Sequence, residues 1–336
     1  MTKKNFCLIP ALWMLLIGIP LLIIFIPSHR PTKTVRISGQ MSLRQIADKL
    51  EEKQLLRSRP LFMLLTRFSG KEKRLQAGLY EFPLRSSPFE ILRKLIAGET
   101  AVIRITIPEG WSSREIAEEL EYKELCPGRS FLDVVREKQL EGFLFPETYF
   151  IPSDFSAEAI ANTFVKGFES RWLPEWNGQA KRLRLSQREI VILASIIERE
   201  AQADVEKTLI SSVFHNRLRK KMRLEADPTI LYALGSWNRT LTRLRMHTAS
   251  PYNTYLHRGL PPGPICNPGS ASLQAALYPE NTPYLFFVSN RDGTHTFSQT
   301  VAEHNAAIRA IRERMQALEL ESTEPETPVQ WKVSGP

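Results

Sequence analysis

Two glutamates at the end of an apolar segment are the residues of this sequence best placed for acid–base chemistry. The segment runs from Glu189 to Glu200 and reads EIVILASIIERE. At about 100° of rotation per helical residue, Glu200 falls in the middle of the apolar face and Glu198 falls near the opposite face. A carboxyl group that faces a core needs a partner or a proton, because desolvation raises its pKa toward the range of a general acid. Glu200 is therefore our candidate catalytic residue.

A structural role for Glu200 is the alternative. A glutamate at a frayed helix end can pair with an arginine, and Arg217 and Arg223 lie within reach along the chain. Structural ion pairs perturb carboxyl groups as catalytic sites do. The spacing of the residues alone leaves both interpretations open.

Polar and aromatic side chains after this segment are candidates for binding substrate. A proline-stiffened stretch over residues 250–269 carries hydroxyl, amide and aromatic groups, which suit a neutral sugar polymer through stacking and hydrogen bonds. Asp227 could equally cap a helix, and Asn253 could simply form a turn. The candidate substrate-binding residues are Asn216, Glu225, Asp227, Tyr252, Asn253, Thr254, Tyr255, Asn267 and His295.

The elements that must position these residues are mostly helical. Ser186 and Glu189 form a capping box, which predicts a helix from Gln187 to about Ala201. A second amphipathic helix is predicted over residues 205–219. Asp227 followed by a proline predicts the N-cap and first position of a short helix that closes at Gly235. Residues 251–269 predict an ordered loop, and residues 284–297 predict a β-hairpin.

An internal repeat organises residues 32–152. The pattern Ser-x-x-x-Ile-Ala-x-x-Leu-Glu begins at Ser42 and again at Ser112, and each copy later reaches a Gly-aromatic-Phe-Pro type of segment. Each copy predicts a strand, a serine-capped helix, more helix and a second strand. Such small α+β units resemble LysM modules, which implies contact with glycan. A spacer that holds the next domain away from a membrane is an equally good interpretation.

A membrane span is predicted before this repeat. Residues 6–27 contain no charged side chain, and a helix of that length crosses a hydrocarbon core of roughly 30 Å. No A-x-A pattern follows, so an anchor is favoured over a cleaved signal peptide. We expect residues 1–5 to form a cytoplasmic tail and the body to lie outside the cytoplasm. Residues 156–320 are expected to form the catalytic domain, and residues 321–336 a disordered tail.

The predicted helices and strands indicate a mixed α+β fold, and composition excludes several classes of protein. The chain has 336 residues, 43% of them hydrophobic and 24% charged, which is ordinary for a globular protein and excludes disordered, collagen-like and multi-span chains. The net charge of +9 suits a surface near anionic lipid and wall polymer, and we expect no nucleic-acid partner. The three cysteines and the histidines lack the spacing of a metal site, so we expect no metal and no cofactor.

Taken together, these segments resemble the YceG-like family. The resemblance covers residues 193–305 through the segments LASIIERE, SSVFHNRL, MRLEADPTILYAL, SPYNTY, GLPPGPICNPG, TPYLFFVSN and HTFSQTVAEHN. It implies a bacterial inner-membrane lytic transglycosylase that cuts nascent peptidoglycan strands, with a lysozyme-like helix that carries the catalytic glutamate. The second glutamate of the family's Glu-x-Glu pair falls on Glu200. Two departures from the family pattern are Ala201 in place of threonine and Glu225 in place of glutamine.

The implied reaction forms 1,6-anhydro ends on N-acetylmuramic acid without water. The implied partners are peptidoglycan glycan strands, the lipid bilayer and peptidoglycan synthases. A lysozyme-like hydrolase is an alternative, with Asp227 or Glu225 as the second carboxylate that ordinary glycoside hydrolysis requires. A wall-binding scaffold of the division machinery, in which Glu200 is only structural, is another.

Overall fold

The computed structural model describes residues 31–235, 237, 242 and 246–323 as a mixed α+β protein, which confirms the predicted fold class. The chain separates into two compact units. One contains the described residues up to Val102 together with Pro152–Asp154, and the other contains Ile103–Ile151 and the described residues from Phe155 onward. No helix of the described residues is both long and apolar enough to cross a membrane. The predicted span over residues 6–27 lies outside these residues.

The first unit is built from the first copy of the repeat. Strand β1 (Thr32–Ile37) pairs antiparallel with β2 (Gly78–Pro83), with Val35 opposite Tyr80. Between them lie α1 (Leu43–Glu52), α2 (Arg59–Phe68) and a 3₁₀ turn (Glu72–Arg74), and α3 (Pro88–Ala97) follows. A core of apolar side chains from these elements includes Leu50, Phe62, Tyr80, Phe82 and Ile91.

The second copy of the repeat opens the second unit. Strand β3 (Val102–Thr106) pairs with β4 (Thr148–Pro152), and α4 (Ser113–Tyr122) and α5 (Gly128–Lys138) lie between them. Both copies therefore have the predicted order of strand, helix, helix and strand. Ser42 and Ser112 cap their helices through capping boxes, as the pattern predicts.

Helix α8 (Gln187–Glu200) forms the centre of the second unit. Ser186 caps it through the predicted capping box with Glu189, and it follows α6 (Ala157–Arg171) and α7 (Pro174–Leu183). All eight residues from Ile190 to Ile197 are buried. The apolar face predicted around Glu200 is therefore not the only buried face, because neighbours cover residues 190–197 of this helix on every side.

The elements after α8 match the predictions with two shifts. Helix α9 spans Lys207–Arg219, and the 3₁₀ turn Asp204–Glu206 replaces the first two residues of the predicted helix. Helix α10 spans Asp227–Ala233 and its N-cap is Ala226. The predicted cap was wrong, because Asp227 is already the first helical residue and its carboxyl group makes no capping hydrogen bond.

A long loop and a hairpin complete the second unit. Residues 250–269 contain no regular helix or strand, as predicted, and lead into α11 (Ser270–Leu277). Strand β5 (Phe286–Ser289) pairs antiparallel with β6 (His295–Ser298), which confirms the predicted hairpin. Helix α12 (Val301–Thr323) follows, so residues 321–323 of the predicted tail are helical. Residues 324–336 lie outside the described residues.

Candidate active site

Glu200 is the last residue of α8 and lies where three other segments converge. The residue is half-buried, and desolvation of its carboxyl group is the largest cause that raises its pKa to about 8. The negative charge of Asp227 raises the pKa further, whereas the Arg217 guanidinium and the backbone N–H of Asp227 lower it. Because desolvation and a like charge favour the neutral form, Glu200 carries a proton at neutral pH.

Arg217 is held in place by backbone carbonyl groups. Its Nε donates to the Leu285 carbonyl at 2.7 Å, and its guanidinium donates to the Leu224 carbonyl at 2.8 Å. The guanidinium also forms an ion pair of 3.2 Å with Glu225 and lies 5.2 Å from the centre of the Phe286 ring. Arg217, one of the two arginines of the structural alternative, thus donates its hydrogen bonds to other partners and acts on Glu200 through charge.

Asp227 and Tyr255 form a second polar group beside Glu200. The Tyr255 hydroxyl donates to the Asp227 carboxylate at 2.6 Å. Burial and this hydrogen bond raise the pKa of Tyr255, so it remains a neutral donor. Glu225, the residue at one of the family departures, adopts a left-handed backbone with φ of 51° and keeps 45% of its side chain exposed. The structure therefore brings Glu200, Asp227, Tyr255 and Glu225 of the predicted residues together around Arg217.

Glu198 has different surroundings although it is only two residues away. One carboxylate oxygen lies 3.4 Å from the Lys207 ammonium group, and the other accepts a hydrogen bond of 3.0 Å from the backbone N–H of Gly269. The side chains of Glu198 and Lys207 are only 9% and 5% exposed. Burial lowers the pKa of Lys207, but the Asp204 hydrogen bond and the charges of Glu198 and Asp204 outweigh it and raise the pKa overall. Glu198 thus joins α8 to α9 and to the start of α11.

Three predicted binding residues attach the loop of residues 250–269 to neighbouring segments. The fully buried Asn253 donates from its amide to the carbonyl groups of Met246 and Thr248, both at 2.9 Å. The Thr254 hydroxyl accepts from the Ala226 backbone N–H at 2.9 Å. Asn267 is also fully buried and accepts from the Leu144 backbone N–H at 2.9 Å. The polar atoms of these three side chains therefore form hydrogen bonds within the protein.

Asn216 and His295 likewise form hydrogen bonds with other parts of the chain. The Asn216 amide donates to the carbonyl groups of Thr282 and Tyr284, both at 2.8 Å, and so joins α9 to the segment before β5. His295 contacts the Glu206 carboxylate through its Nδ1 atom at 2.7 Å and through its backbone N–H at 2.9 Å. His295 has no direct contact with Glu200 among the described residues.

Tyr252 lies in a cavity of about 860 Å³ that sequence reasoning missed. The Tyr252 ring packs against Tyr232 at 5.0 Å between centres, and Pro262, Gly263 and Pro264 of the same loop also line the cavity. At its wall Glu141 accepts hydrogen bonds from Ser113 and, at 3.3 Å, from Tyr232. Burial raises the pKa of Glu141 and these hydrogen bonds oppose the rise. The only sequence signal was that Glu141 precedes the second Gly-aromatic-Phe-Pro type segment.

The fold and this site define an α+β protein whose central helix ends in a protonatable glutamate. The sequence profile of the YceG-like family matches residues 35–310, and the chain belongs to that family. Over the part of the chain that the structure describes, no group of three or more histidine, cysteine, aspartate and glutamate side chains is arranged to hold a metal.

Curated relatives of this chain carry the name endolytic murein transglycosylase. One, from Bacillus subtilis, is 33% identical over 311 residues, which cover 84% of this chain and 86% of that protein. Another, from Streptococcus pneumoniae, is 24% identical and aligns over 82% of this chain but only 57% of its own length. The crystal structure of a YceG-like protein from Listeria monocytogenes has a TM-score of 0.55 and 33% identity, and it covers 82% of this chain and 98% of its own.

Proposed function

We propose that this protein is an endolytic murein transglycosylase, a lyase that cleaves the glycan strands of peptidoglycan. Membership of the YceG-like family and the names of the curated relatives support the reaction class. The observation that carries the assignment of the acid is the raised pKa of Glu200 at the end of a buried helix. A carboxyl group that is protonated at neutral pH can donate its proton to a leaving group.

A single carboxyl group suffices for the proposed reaction. Glu200 donates its proton to the glycosidic oxygen between N-acetylmuramic acid and N-acetylglucosamine, and the C1–O bond breaks. The C6 hydroxyl of the same muramyl residue then bonds to C1, and the Glu200 carboxylate accepts the hydroxyl proton. The product carries a 1,6-anhydro ring, no water is consumed, and Glu200 regains its starting protonation state.

The neighbours of Glu200 support both halves of this cycle. The carboxylate of Asp227 and the desolvated surroundings favour the protonated form that starts the reaction. Arg217 and the Asp227 backbone N–H favour the carboxylate that forms after the proton leaves. A site that holds both forms within a small energy difference suits a group that must act as acid and then as base.

The proposed substrate surface starts at the exposed side of this cluster and includes the loop of residues 250–269 as one wall. Tyr252 can offer a stacking face, and Glu225, Asp227 and Tyr255 offer polar groups beside Glu200. Asn216, Asn253, Thr254, Asn267 and His295 hold the surrounding segments in place through the hydrogen bonds described above. Proline-stiffened segments lose little conformational entropy on binding, which favours recognition of an extended polymer.

The membrane anchor and the location of the body are part of the proposal. The charge-free residues 6–27 support a single span in the bacterial inner membrane with the body on the outer side. In spheroplasts, added protease should degrade the body and leave the N-terminus protected. Complete resistance of the body would contradict this topology.

The repeat over residues 32–152 is the proposed LysM-like region. Its two strand–helix–helix–strand copies support either glycan contact or a spacer function, and peptidoglycan synthases are the proposed protein partners of the whole chain. Binding of the purified Glu200→Gln variant to sacculi, which it should not cleave, measures glycan contact of the chain without turnover.

A lysozyme-like hydrolase is the second candidate, because the Asp227 carboxylate acts on Glu200 as a second acidic group. In a hydrolase, the second carboxylate activates water or forms a covalent intermediate. Mass spectrometry of products from purified sacculi separates the two reactions. Anhydro-muramyl ends are expected for the lyase, and reducing ends in their place would establish the hydrolase.

A further inference from the structure

Helix α2 of the first unit exposes an apolar stripe. At about 100° per residue, Leu61, Leu64 and Phe68 fall within roughly 60° of one another, on the side opposite the buried Phe62 and Thr66. The three exposed side chains are 45%, 51% and 84% accessible. Single exposed apolar residues are common, but an aligned stripe on one helix indicates a binding surface.

Basic residues lie before, within and after this helix along the chain. Residues 57–74 contain six basic side chains and one acidic side chain, a net charge of +5, which is more than half of the +9 of the whole chain. Within the described ranges, the structure has no side-chain ion pair for Arg67, Lys71, Lys73 or Arg74. We call the stripe together with these four basic residues the basic-apolar surface.

The basic-apolar surface lies close in sequence to the proposed membrane anchor. Only residues 28–31 separate the end of the apolar run from β1, and an extended chain of that length spans roughly 17 Å. The first unit is therefore tethered within a short distance of the bilayer surface if the anchor is inserted as proposed.

We propose that the basic-apolar surface docks on anionic lipid headgroups of the bilayer that anchors the chain. Leu61, Leu64 and Phe68 enter the boundary between headgroups and acyl chains, and the basic side chains contact lipid phosphates. This combination of an apolar stripe and a basic flank is typical of helices that lie in a membrane interface. The proposal rests on the proposed anchor and is independent of the proposed reaction.

Two other occupants fit the surface less well. A neutral glycan is bound mainly through several aromatic faces and hydrogen bonds, whereas this surface offers two leucines, a single phenylalanine and a cluster of cations. A second copy of the chain, packed symmetrically on the same surface, would bring two sets of four basic side chains together, and like charges repel. Anionic lipid complements both the apolar and the charged part.

Photocrosslinking of the full chain in lipid nanodiscs tests this proposal. The photoreactive residue p-benzoylphenylalanine replaces Phe68, and in a matched control it replaces Phe150, which is 68% exposed on β4 of the second unit. The discs contain phosphatidylcholine with or without phosphatidylglycerol, and sacculi are added in a parallel sample. We expect lipid adducts at position 68 in discs that contain phosphatidylglycerol, and few at position 150.

Charge reversal provides the second arm. The changes Lys71→Glu, Lys73→Glu and Arg74→Glu should lower the yield of lipid adduct at position 68 by about tenfold or more, since each basic residue near an anionic surface contributes to binding. Reversal of Lys181, Arg182 and Arg184, exposed on and just after α7, is the matched control and should leave the yield unchanged. Circular dichroism should report the same helix content for both variants.

Other outcomes overturn the proposal in distinguishable ways. A protein dimer or a glycan adduct at position 68, with no lipid adduct, identifies a different occupant. A chain that enters the discs but gives no lipid adduct contradicts docking alone. A chain that fails to enter the discs contradicts the proposed anchor and therefore also the docking on lipid. The activity on sacculi would still test the proposed reaction.

Discussion

The surroundings of Glu198 and Glu200 differ although one residue separates them on the same helix. Glu198 contacts a buried lysine and a backbone N–H, so it meets a cation and a donor. Glu200 meets a desolvated pocket and the carboxylate of Asp227, which favour its protonated form. Identical side chains on one buried helix therefore acquire a structural and a chemical role from the different segments that pack against each of them.

The largest effect is expected on turnover, which should differ strongly between variants of Glu200 and of Glu198. Glu200→Gln keeps the size and most of the hydrogen bonding of the side chain but cannot transfer a proton, so turnover of sacculi should fall by about a thousandfold. Glu198→Gln should retain much of the activity, because the site would lose only orientation. Anhydro-muramyl products are counted by mass spectrometry and folding is checked by circular dichroism. Normal turnover by Glu200→Gln, or loss only in Glu198→Gln, would overturn the assignment of the acid.

The next effect concerns stability on the Glu198 side. Lys207→Met leaves the Glu198 carboxylate buried without its cation, which should lower the free energy of unfolding by about 3 kcal/mol. Adding Glu198→Gln should restore part of this loss, because the uncompensated charge is removed. Urea unfolding of both variants and the wild type measures these differences. Additive losses in the double variant would show that Glu198 and Lys207 are not coupled.

A third comparison uses the pH dependence of the reaction. Asp227→Asn keeps an oxygen acceptor for Tyr255 but removes the charge that raises the pKa of Glu200. The pKa of Glu200 should therefore fall, so the loss of activity as Glu200 ionises should begin at lower pH. Glu225→Gln is the control, because Glu225 pairs with Arg217 and is not among the causes of the Glu200 shift. Equal shifts of the pH–rate profile in both variants would contradict the role given to Asp227.

The smallest effects distinguish two neighbours in the loop. Tyr252→Ala removes a half-buried ring from the cavity and should reduce turnover several-fold with little change in melting temperature. Asn253→Ala removes two buried hydrogen bonds to backbone carbonyl groups and should lower the free energy of unfolding by about 2 kcal/mol. Thermal unfolding and turnover are measured on both. A stable but inactive Asn253→Ala variant would place that amide at the substrate instead.

Local signals made much of the fold predictable from sequence. The capping box at Ser186, the repeated pattern at Ser42 and Ser112, and the hairpin over residues 284–297 each depend on residues a few positions apart. The cap assigned to Asp227 failed because Ala226 adopts the extended cap conformation, so that Asp227 begins the helix and is free to accept from Tyr255. Propensity ranks residues at a cap but does not fix which of two neighbours occupies it.

The environment of the site could be predicted only in part. Glu200 was found from its position in an apolar segment, but the stated reason, a single apolar face, does not hold for a helix buried on all sides. Lys207 and Arg217 on α9 and the Gly269 N–H before α11 act on the glutamates of α8, and a single sequence gives no measure of such distances. The burial of Asn253 and Asn267 was missed for the same reason, since turn-forming residues can point toward solvent or toward their own loop.

Direct titration of the Glu200 carboxyl group tests whether this residue is protonated at neutral pH and can act as the acid. Carbon-13 NMR of protein labelled at glutamate side-chain carboxyl groups, compared between the wild type and Glu200→Gln, isolates the signal of this one residue. We expect a wild-type signal that titrates near pH 8 and is missing from Glu200→Gln. In Asp227→Asn, the midpoint of this titration should lie at lower pH. The opposite result is a wild-type signal, absent from Glu200→Gln, that titrates near the ordinary glutamate value of 4.5. Glu200 would then be ionised at neutral pH and could not begin the reaction as an acid.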